Sequence, residues 1–312
     1  MPTIAHLSDV HLHPIAGFTP RHWSLKRALG YANFVRTRRA SFDAAVLARL
    51  VADIKAAAPD HIAVTGDLVN IGLPGEHANA LGWLERLGPP QRVSVVPGNH
   101  DIYQRLRRDR GVARWADYMR SDPASAARVG GGAEPDFPFL RRVGPVALIG
   151  VNSAIPTLPL IAAGRVGAPQ RARLAGLLAA AGREGLFRLV LIHHPPLPGQ
   201  AGRLRALGDA REIAELLAAC GAELVIHGHN HRSTLAWCDG GGRRIPVVGV
   251  AAAGLARADG GAPLARHHIY RIDGPPWRID MRVRGLAEPG GAVIDIARHE
   301  LVPGGARTPI GD

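Results

Sequence analysis

The 312-residue chain predicts an α/β fold built around parallel strands. Three observations predict it. Short apolar runs of β type recur, each stopped at once by Gly, Asp, Asn or His. Stretches of helical periodicity separate most of these runs, and after the fifth run the intervening helices stop.

Ile4 to Leu7 is the first run and leads to Asp9-Val10-His11. His61 to Thr65 leads to Gly66-Asp67, and Val93 to Val96 leads to Pro97-Gly98-Asn99-His100-Asp101. Leu189 to Ile192 ends at His193, and Glu223 to Ile226 ends at His227-Gly228-His229-Asn230-His231. Between the first two runs, Phe42 to Ala58 sets Phe42, Val46, Leu50 and Ile54 four apart, the apolar face of a crossover helix; Glu212 to Ala219 is similarly periodic. Because such crossovers are right-handed, successive parallel strands point the same way and end along one edge, where ligand sites form. Arg244 to Val248, His267 to Ile272 and Trp277 to Val283 follow without comparable helices and read as antiparallel, with Gly274-Pro275-Pro276 turning between the last two. Residues 1–285 therefore form one predicted domain, and the Gly-, Pro- and Arg-rich residues 286–312 a loosely held tail.

A hydrophobic content of 46% supports a substantial core. Every apolar run is cut by Gly, Pro, His or Arg, so none predicts a bilayer-spanning helix. The first strand runs straight into Asp9 and His11 with no apolar leader before it, so the expected location is the cytoplasm. Cys220 and Cys238 lack the spacing of a metal or redox motif and read as buried small side chains. The net charge of +12 comes almost wholly from arginine, Lys26 and Lys55 being the only lysines. That pattern, with abundant Ala and Gly, is a compositional bias across the chain, and by itself it names no anionic partner.

The chemistry gathers just beyond the strands. In an extended segment Asp9 and His11 would project from one face and grip one cation, and His229 and His231 repeat that spacing. Gly66 and Gly98 allow sharp turns that deliver Asp67 and Asn99 at strand ends. Carboxylate, amide oxygen and imidazole without thiolate suit Mn, Fe, Zn or Co, and Asp67 is the candidate to bridge two such ions.

In motif order the chain resembles the calcineurin-like metallophosphoesterase superfamily: Asp-x-His, Gly-Asp, Gly-Asn-His-Asp, His, then Gly-His-x-His. The resemblance runs from about Ile4 to His231. It implies an αββα sandwich of two mixed β-sheets flanked by helices. It also implies two divalent metal ions, one held by Asp9, His11, Asp67 and His231, the other by Asp67, Asn99, His193 and His229. His193-His194 leaves a choice between adjacent histidines, in which the resemblance favours His193 because the family's ligand directly follows its strand; His227 would face the other way from an extended segment that orients His229 and His231, and reads as structural. It puts His100 beside the scissile phosphate, stabilising charge or protonating the leaving alkoxide, with Asp101 orienting its ring. The implied reaction is in-line attack on phosphorus by a hydroxide that the cations make available near neutral pH.

His193-His194-Pro195-Pro196-Leu197-Pro198 and Gly228-His229-Asn230-His231 look like the bacterial branch with class III cyclic-nucleotide phosphodiesterases and glycerophosphodiesterases, so a small phosphodiester is the expected substrate. A basic, aromatic insertion at about 14–41 departs from that pattern. Trp23, Leu25, Leu29, Ala32 and Val35 would make an apolar helical surface, flanked by Arg21, Lys26, Arg27, Arg36, Arg38 and Arg39. Residues 18–41 are thus either a lid touching an anionic membrane, with a phospholipid or nucleotide-linked lipid pyrophosphate as substrate, or an ordinary capping helix whose stripe Gly30 interrupts. A further basic run, Arg105, Arg107, Arg108, Arg110 and Arg114, accompanies no nucleic-acid module, and nucleic acid is not an expected partner. A catalytically silent binding scaffold is the alternative of another class; missing ligands would mark it, and here every position is filled.

Overall fold

The structure, a computed structural model, describes residues 1–15, 17–104, 111–125, 136–240, 243–257 and 261–304. The first half-molecule alternates β1 (Thr3–Leu7), a helical insertion, α2 (Ala44–Ala56), β2 (His61–Val64), α3 (Pro74–Leu87) and β3 (Val93–Val95). The insertion holds α1 (Leu25–Asn33), which passes through a π-helical turn, Phe34–Arg38, into the short turn Arg39–Ser41. β4 (Phe139–Val143) and β5 (Val146–Gly150) form a hairpin, followed by α4 (Ala168–Arg183), β6 (Phe187–Leu191), α5 (Ala210–Cys220) and β7 (Leu224–His227). β8 (Thr234–Gly240), β9 (Arg243–Gly249), β10 (Arg266–Asp273), β11 (Arg278–Leu286) and β12 (Val293–Leu301) complete the chain.

These strands make two six-stranded sheets, ordered β12-β11-β10-β1-β2-β3 and β4-β5-β6-β7-β9-β8. Both are mixed. β1, β2 and β3 run parallel with an antiparallel meander of β10 to β12 beside β1, while β5, β6, β7 and β9 run parallel between antiparallel β4 and β8. The expected αββα sandwich follows from which faces are apolar. Val146, Leu148, Leu189 and Ile226 turn toward the first sheet and join Ile4, Leu7 and the α2 and α3 side chains Leu50, Ile54 and Leu84 in one core. Their neighbours Ala147, Ile149, Val190 and Val225 turn the other way, onto Leu174, Leu178, Ile213 and Leu217 of α4 and α5. Both faces of the second sheet are therefore buried, which is why its strands read as continuous apolar runs.

α2 begins where Asp43 caps it, its carboxylate accepting from Ala45 N at 2.7 Å, two residues inside the predicted start. Two expectations are corrected. The five motif-bearing strands do not share one sheet: β1, β2 and β3 lie in one and β6 and β7 in the other, so the site edge is doubled. The expected loose tail is not loose over 293–301, since β12 pairs with β11 from Leu286↔Val293 to Ile279↔Leu301 and buries Leu301. The pairing shifts register between Val283 and Arg284, so the side chains of this edge strand that pack on the core are Val293, Ile296 and Ala297, while Ile294, Asp295, Arg298 and Glu300 are exposed.

Candidate metal centre

The C-terminal ends of β1, β2, β3, β6 and β7 meet where the two sheets face each other, and the loops leaving them carry every predicted site residue. The loops are not extended. Asp9, His11, Asp67, His229 and His231 all take positive φ, from 44° to 69°, and they are five of the seven non-glycine residues that do so among the described residues. Asp and His tolerate this left-handed region better than most side chains, but holding five of them there costs about 1 kcal/mol or more each. The two-residue spacing of Asp9 with His11 and of His229 with His231 thus works through paired left-handed turns around Val10 and Asn230. Gly98 and Gly228 make the close approach possible: a Cβ on Gly98 would meet Asp67 N at 2.6 Å and His193 Cε1 at 2.7 Å, and one on Gly228 would meet Ser8 Cβ at 2.7 Å.

Backbone carbonyls fix which ring nitrogens carry hydrogen. His11 Nδ1 donates to Val69 O (3.2 Å), His193 Nδ1 to Thr65 O (2.6 Å) and His229 Nε2 to Arg205 O (2.9 Å). The opposite nitrogens are left with lone pairs directed into the site. His193 Nε2 lies 3.2 Å from Asn99 Oδ1 and 3.4 Å from Asp67 Oδ2, and His229 Nδ1 lies 3.0 Å from Asn99 Oδ1 and 3.3 Å from His193 Nε2. On the other side of Asp67, His11 Nε2 and Asp9 Oδ1 are buried without a hydrogen-bond partner. His231 Nε2 is 3.2 Å from Asp9 Oδ1, and His11 Nε2 is 3.9 Å from Asp67 Oδ2. Lone pairs packed against lone pairs repel unless positive charge sits among them, so this donor set fits divalent cations. The same demand shows in protonation. Burial opposes charge on His193, yet Asp67 and Asp9 outweigh it and lift the ring to about 9; burial likewise opposes the charge on Asp67, and His193 and His100 hold it well below the usual carboxylate range.

His194 is accounted for elsewhere, since its Nε2 donates to Ala162 O (3.1 Å) and its Nδ1 accepts from Ser153 Oγ (2.8 Å). His227 is fully buried and turned away, with Nδ1 donating to Gly228 O at 3.0 Å. His100 does stand at the cleft, its backbone N donating to Asp67 Oδ1 (2.8 Å). Asp101 does not orient its ring, contrary to expectation. The Asp101 carboxylate is buried and accepts from the backbone N–H groups of Asp67, Leu68, Val69 and Gly98 (2.8 to 3.1 Å), so it ties the second and third motif loops together. The His100 ring is held instead by Nδ1 donating to Asn70 O, which leaves Nε2 to accept from Arg38 Nη2 at 2.9 Å. Burial and the Arg38 charge push His100 down to about 3.

The cleft above these residues encloses about 240 Å³. Its walls are Asp67, Asn99, His100, His229 and His231 on one side, with Asn33, Thr37 and Arg38 from the insertion, Arg205, and apolar Phe42 and Leu255 completing it. Arg38 and Arg205 were not assigned to the site from sequence. Arg38 sits at the end of the π-helical turn, and Arg205 in the β6–α5 loop, where it also donates to His229 O at 2.7 Å. The place of that loop at the C-terminal edge of β6 was the available signal for Arg205; no local pattern marked Arg38 out from its basic neighbours. Of the other basic run, Arg105, Arg107, Arg108 and Arg110 lie outside the described residues, and Arg114 falls in the 3₁₀ helix Gly111–Met119.

Comparison with curated protein sequences finds no match. Among solved structures the chain resembles a dimetal phosphatase from Danio rerio, with 14% identity and a TM-score of 0.59 over 95% of this chain and 98% of that one. It also resembles the purple acid phosphatase PPD1 from yellow lupin (Lupinus luteus) seeds, with 12% identity and a TM-score of 0.55 over 96% of this chain and 53% of that one, so it spans about half the length of that protein. At such identities the likeness is one of fold. A profile of calcineurin-like phosphoesterases matches residues 2–233, a span that contains all five motif loops. The chain belongs to the calcineurin-like phosphoesterase family, whose members' chemistry is metal-dependent phosphoester hydrolysis at a centre that typically holds two metals.

Proposed function

We propose that the protein is a two-metal phosphodiesterase. The observation that carries the reading is the set of facing lone pairs around Asp67. Asp9, His11, Asp67 and His231 would hold one cation, and Asp67, Asn99, His193 and His229 the other. When bound, two such ions lower the pKa of water and polarise phosphoryl oxygens.

The chain's own side chains supply the rest. The Asp101 bridge to four amides keeps the Asp67 and Asn99 loops in register, which holds the donor atoms in place before substrate arrives. Arg38 presents a guanidinium over His100 at the cleft wall, and Arg205 presents another from the opposite loop, so an anionic phosphoryl group entering between them meets two fixed cations. With its Nδ1–H committed to Asn70 O, His100 faces the cleft with Nε2, which pairs with Arg38; in this role it positions Arg38 and stabilises charge through it, and does not donate a proton. Phe42 and Leu255 line the remaining wall and give a second ester substituent an apolar seat, which favours a diester over a monoester.

The test uses Mn-reconstituted protein with a chromogenic phosphodiester and the matching monoester. The expected result is diester turnover that exceeds monoester turnover, disappears in Asp67→Ala, and falls about 100-fold or more in kcat in Arg38→Ala. Equal or greater monoester turnover would reject the diesterase assignment, and full activity in Asp67→Ala would reject the metal assignment.

A further inference from the structure

The insertion helix is built the wrong way round for a soluble surface. Lys26 and Arg27 of α1 point inward: Lys26 Nζ donates to Tyr103 O (2.6 Å) and Thr157 O (2.9 Å), and Arg27 donates to Ile71 O, Gly72 O and His22 O (2.6 to 3.2 Å). Gly30 lies on the same inner face, where a Cβ would meet Ile71 Cγ2 at 3.0 Å and Tyr103 Cζ at 3.1 Å. It therefore seats the helix and does not interrupt an exposed stripe. The leucines are left outside. Trp23 and Leu25 of the insertion, Leu158 and Leu160 of the β5–α4 connection and Leu204 of the β6–α5 loop are 58–83% exposed, and Leu29 continues the patch along α1.

Three segments distant in sequence thus expose large apolar side chains, and they meet at one place. Lys26 ties α1 to Thr157 beside Leu158, and Ala162 N donates to Leu204 O at 2.9 Å. The same three segments give the cleft its Asn33, Thr37, Arg38, Ala162 and Arg205 walls, so the apolar patch rims the mouth of the candidate metal centre. Leu160 adds an independent mark. It holds φ at +65°, a conformation a bulky side chain rarely takes, while projecting into solvent without packing to repay the strain.

Charge selects the partner. Residues 13–41, 152–165 and 195–208 contain nine Lys or Arg and no Asp or Glu, so these three segments bring no carboxylate to repel an anionic surface. Arg21, Arg36, Arg39 and Arg203 are exposed on the same segments that expose the apolar side chains. Apolar side chains able to enter an acyl boundary, ringed by cations at headgroup level, match a phospholipid bilayer better than a protein partner, which would need complementary shape as well as charge. We propose that the cleft rim docks on an anionic lipid bilayer, with the cleft mouth facing the headgroups. None of the described helices is long and apolar enough to cross a membrane, so the contact is at the surface.

Sedimentation of the full chain with vesicles of phosphatidylcholine, alone or mixed with phosphatidylglycerol, tests this without reference to catalysis. Thermal midpoints of the variants serve as the control for folding. The expected result is binding to the mixed vesicles, about tenfold weaker in Leu25→Ser/Leu160→Ser and likewise weaker in Arg36→Glu/Arg39→Glu, with both variants melting as the parent does. No binding of the parent to mixed vesicles overturns the proposal. So does binding that raised salt abolishes but the leucine variant leaves unchanged, which would be unspecific adhesion of a cationic protein. Concentration-dependent dimerisation that the leucine variant removes, with no vesicle binding, would assign the patch to a second copy of the chain instead.

Discussion

Left-handed backbone at Asp9, His11, Asp67, His229 and His231 concentrates local strain at the residues whose lone pairs converge, and something must hold it in place. Asp101 is the main brace. Its two oxygens take up four backbone N–H groups from both sides of the Asp67 turn, so removing them strands several buried donors at once. Asp101→Ala is expected to lose about 3 kcal/mol or more of stability by urea denaturation, and Asp101→Asn to lose less because one oxygen remains. Destabilisation within about 0.5 kcal/mol in the alanine variant would show that the carboxylate does not brace the loops. At this scale the sequence was legible wherever a residue type and a strand end coincided, as at Asp67 after Gly66. It was silent on what Asp101 touches, because a carboxylate next to a histidine in sequence reads as its partner, and only the fold shows four closer amides. It was also misleading on geometry: an Asp-x-His pair suggests an extended segment, and the turns around Val10 and Asn230 achieve the same convergence by another route.

Between elements, the second sheet places β6 and β7 so that His193 and His229 face each other. Arg188 and Glu223 fix that pairing, with Arg188 Nη2 to Glu223 Oε1 at 2.7 Å, Nε to Oε2 at 2.8 Å and Arg188 N to Oε2 at 2.7 Å, both side chains almost wholly buried. Breaking a buried bidentate pair from one side leaves the other charge stranded. Glu223→Ala is therefore expected to lower the urea midpoint by the equivalent of about 3 kcal/mol or more, while Glu300→Ala, whose partner Arg278 is largely exposed, changes it by under about 1 kcal/mol. Similar small losses in both would mean the buried pair does not hold the strands together. Elements were readable from sequence when their periodicity was long, as in α2. β4, β5, β8 and β12 were missed: the β4–β5 hairpin carries no catalytic motif to announce it, and β12 lies at an edge where Asp295, Arg298 and Glu300 break up its apolar residues. α1 was read as a helix with an apolar surface, which it has, but Lys26 and Arg27 proved to be its anchors and not cationic flanks.

At the scale of the whole molecule, a two-sheet sandwich brings together loops from opposite ends of a 223-residue span, since Asp9 and His231 are neighbours only because β1 and β7 lie in facing sheets. The parallel order of strands was legible, but their division between two sheets was not, because right-handed crossovers fix direction without saying which sheet a strand joins. The resemblance carried by the motif order implied two sheets, but not that β6 and β7 leave the sheet of β1 to β3 while β10, β11 and β12 join it. The account rests on one claim, that the lone pairs gathered around Asp67 hold two divalent cations. Metal content per chain, measured by inductively coupled plasma mass spectrometry after Mn reconstitution and removal of free ion, tests it most directly. The account predicts about two ions in the parent protein, and loss of both in Asp67→Ala because each site needs that carboxylate. Metal-free parent protein, or an Asp67→Ala variant that keeps both ions, would contradict it.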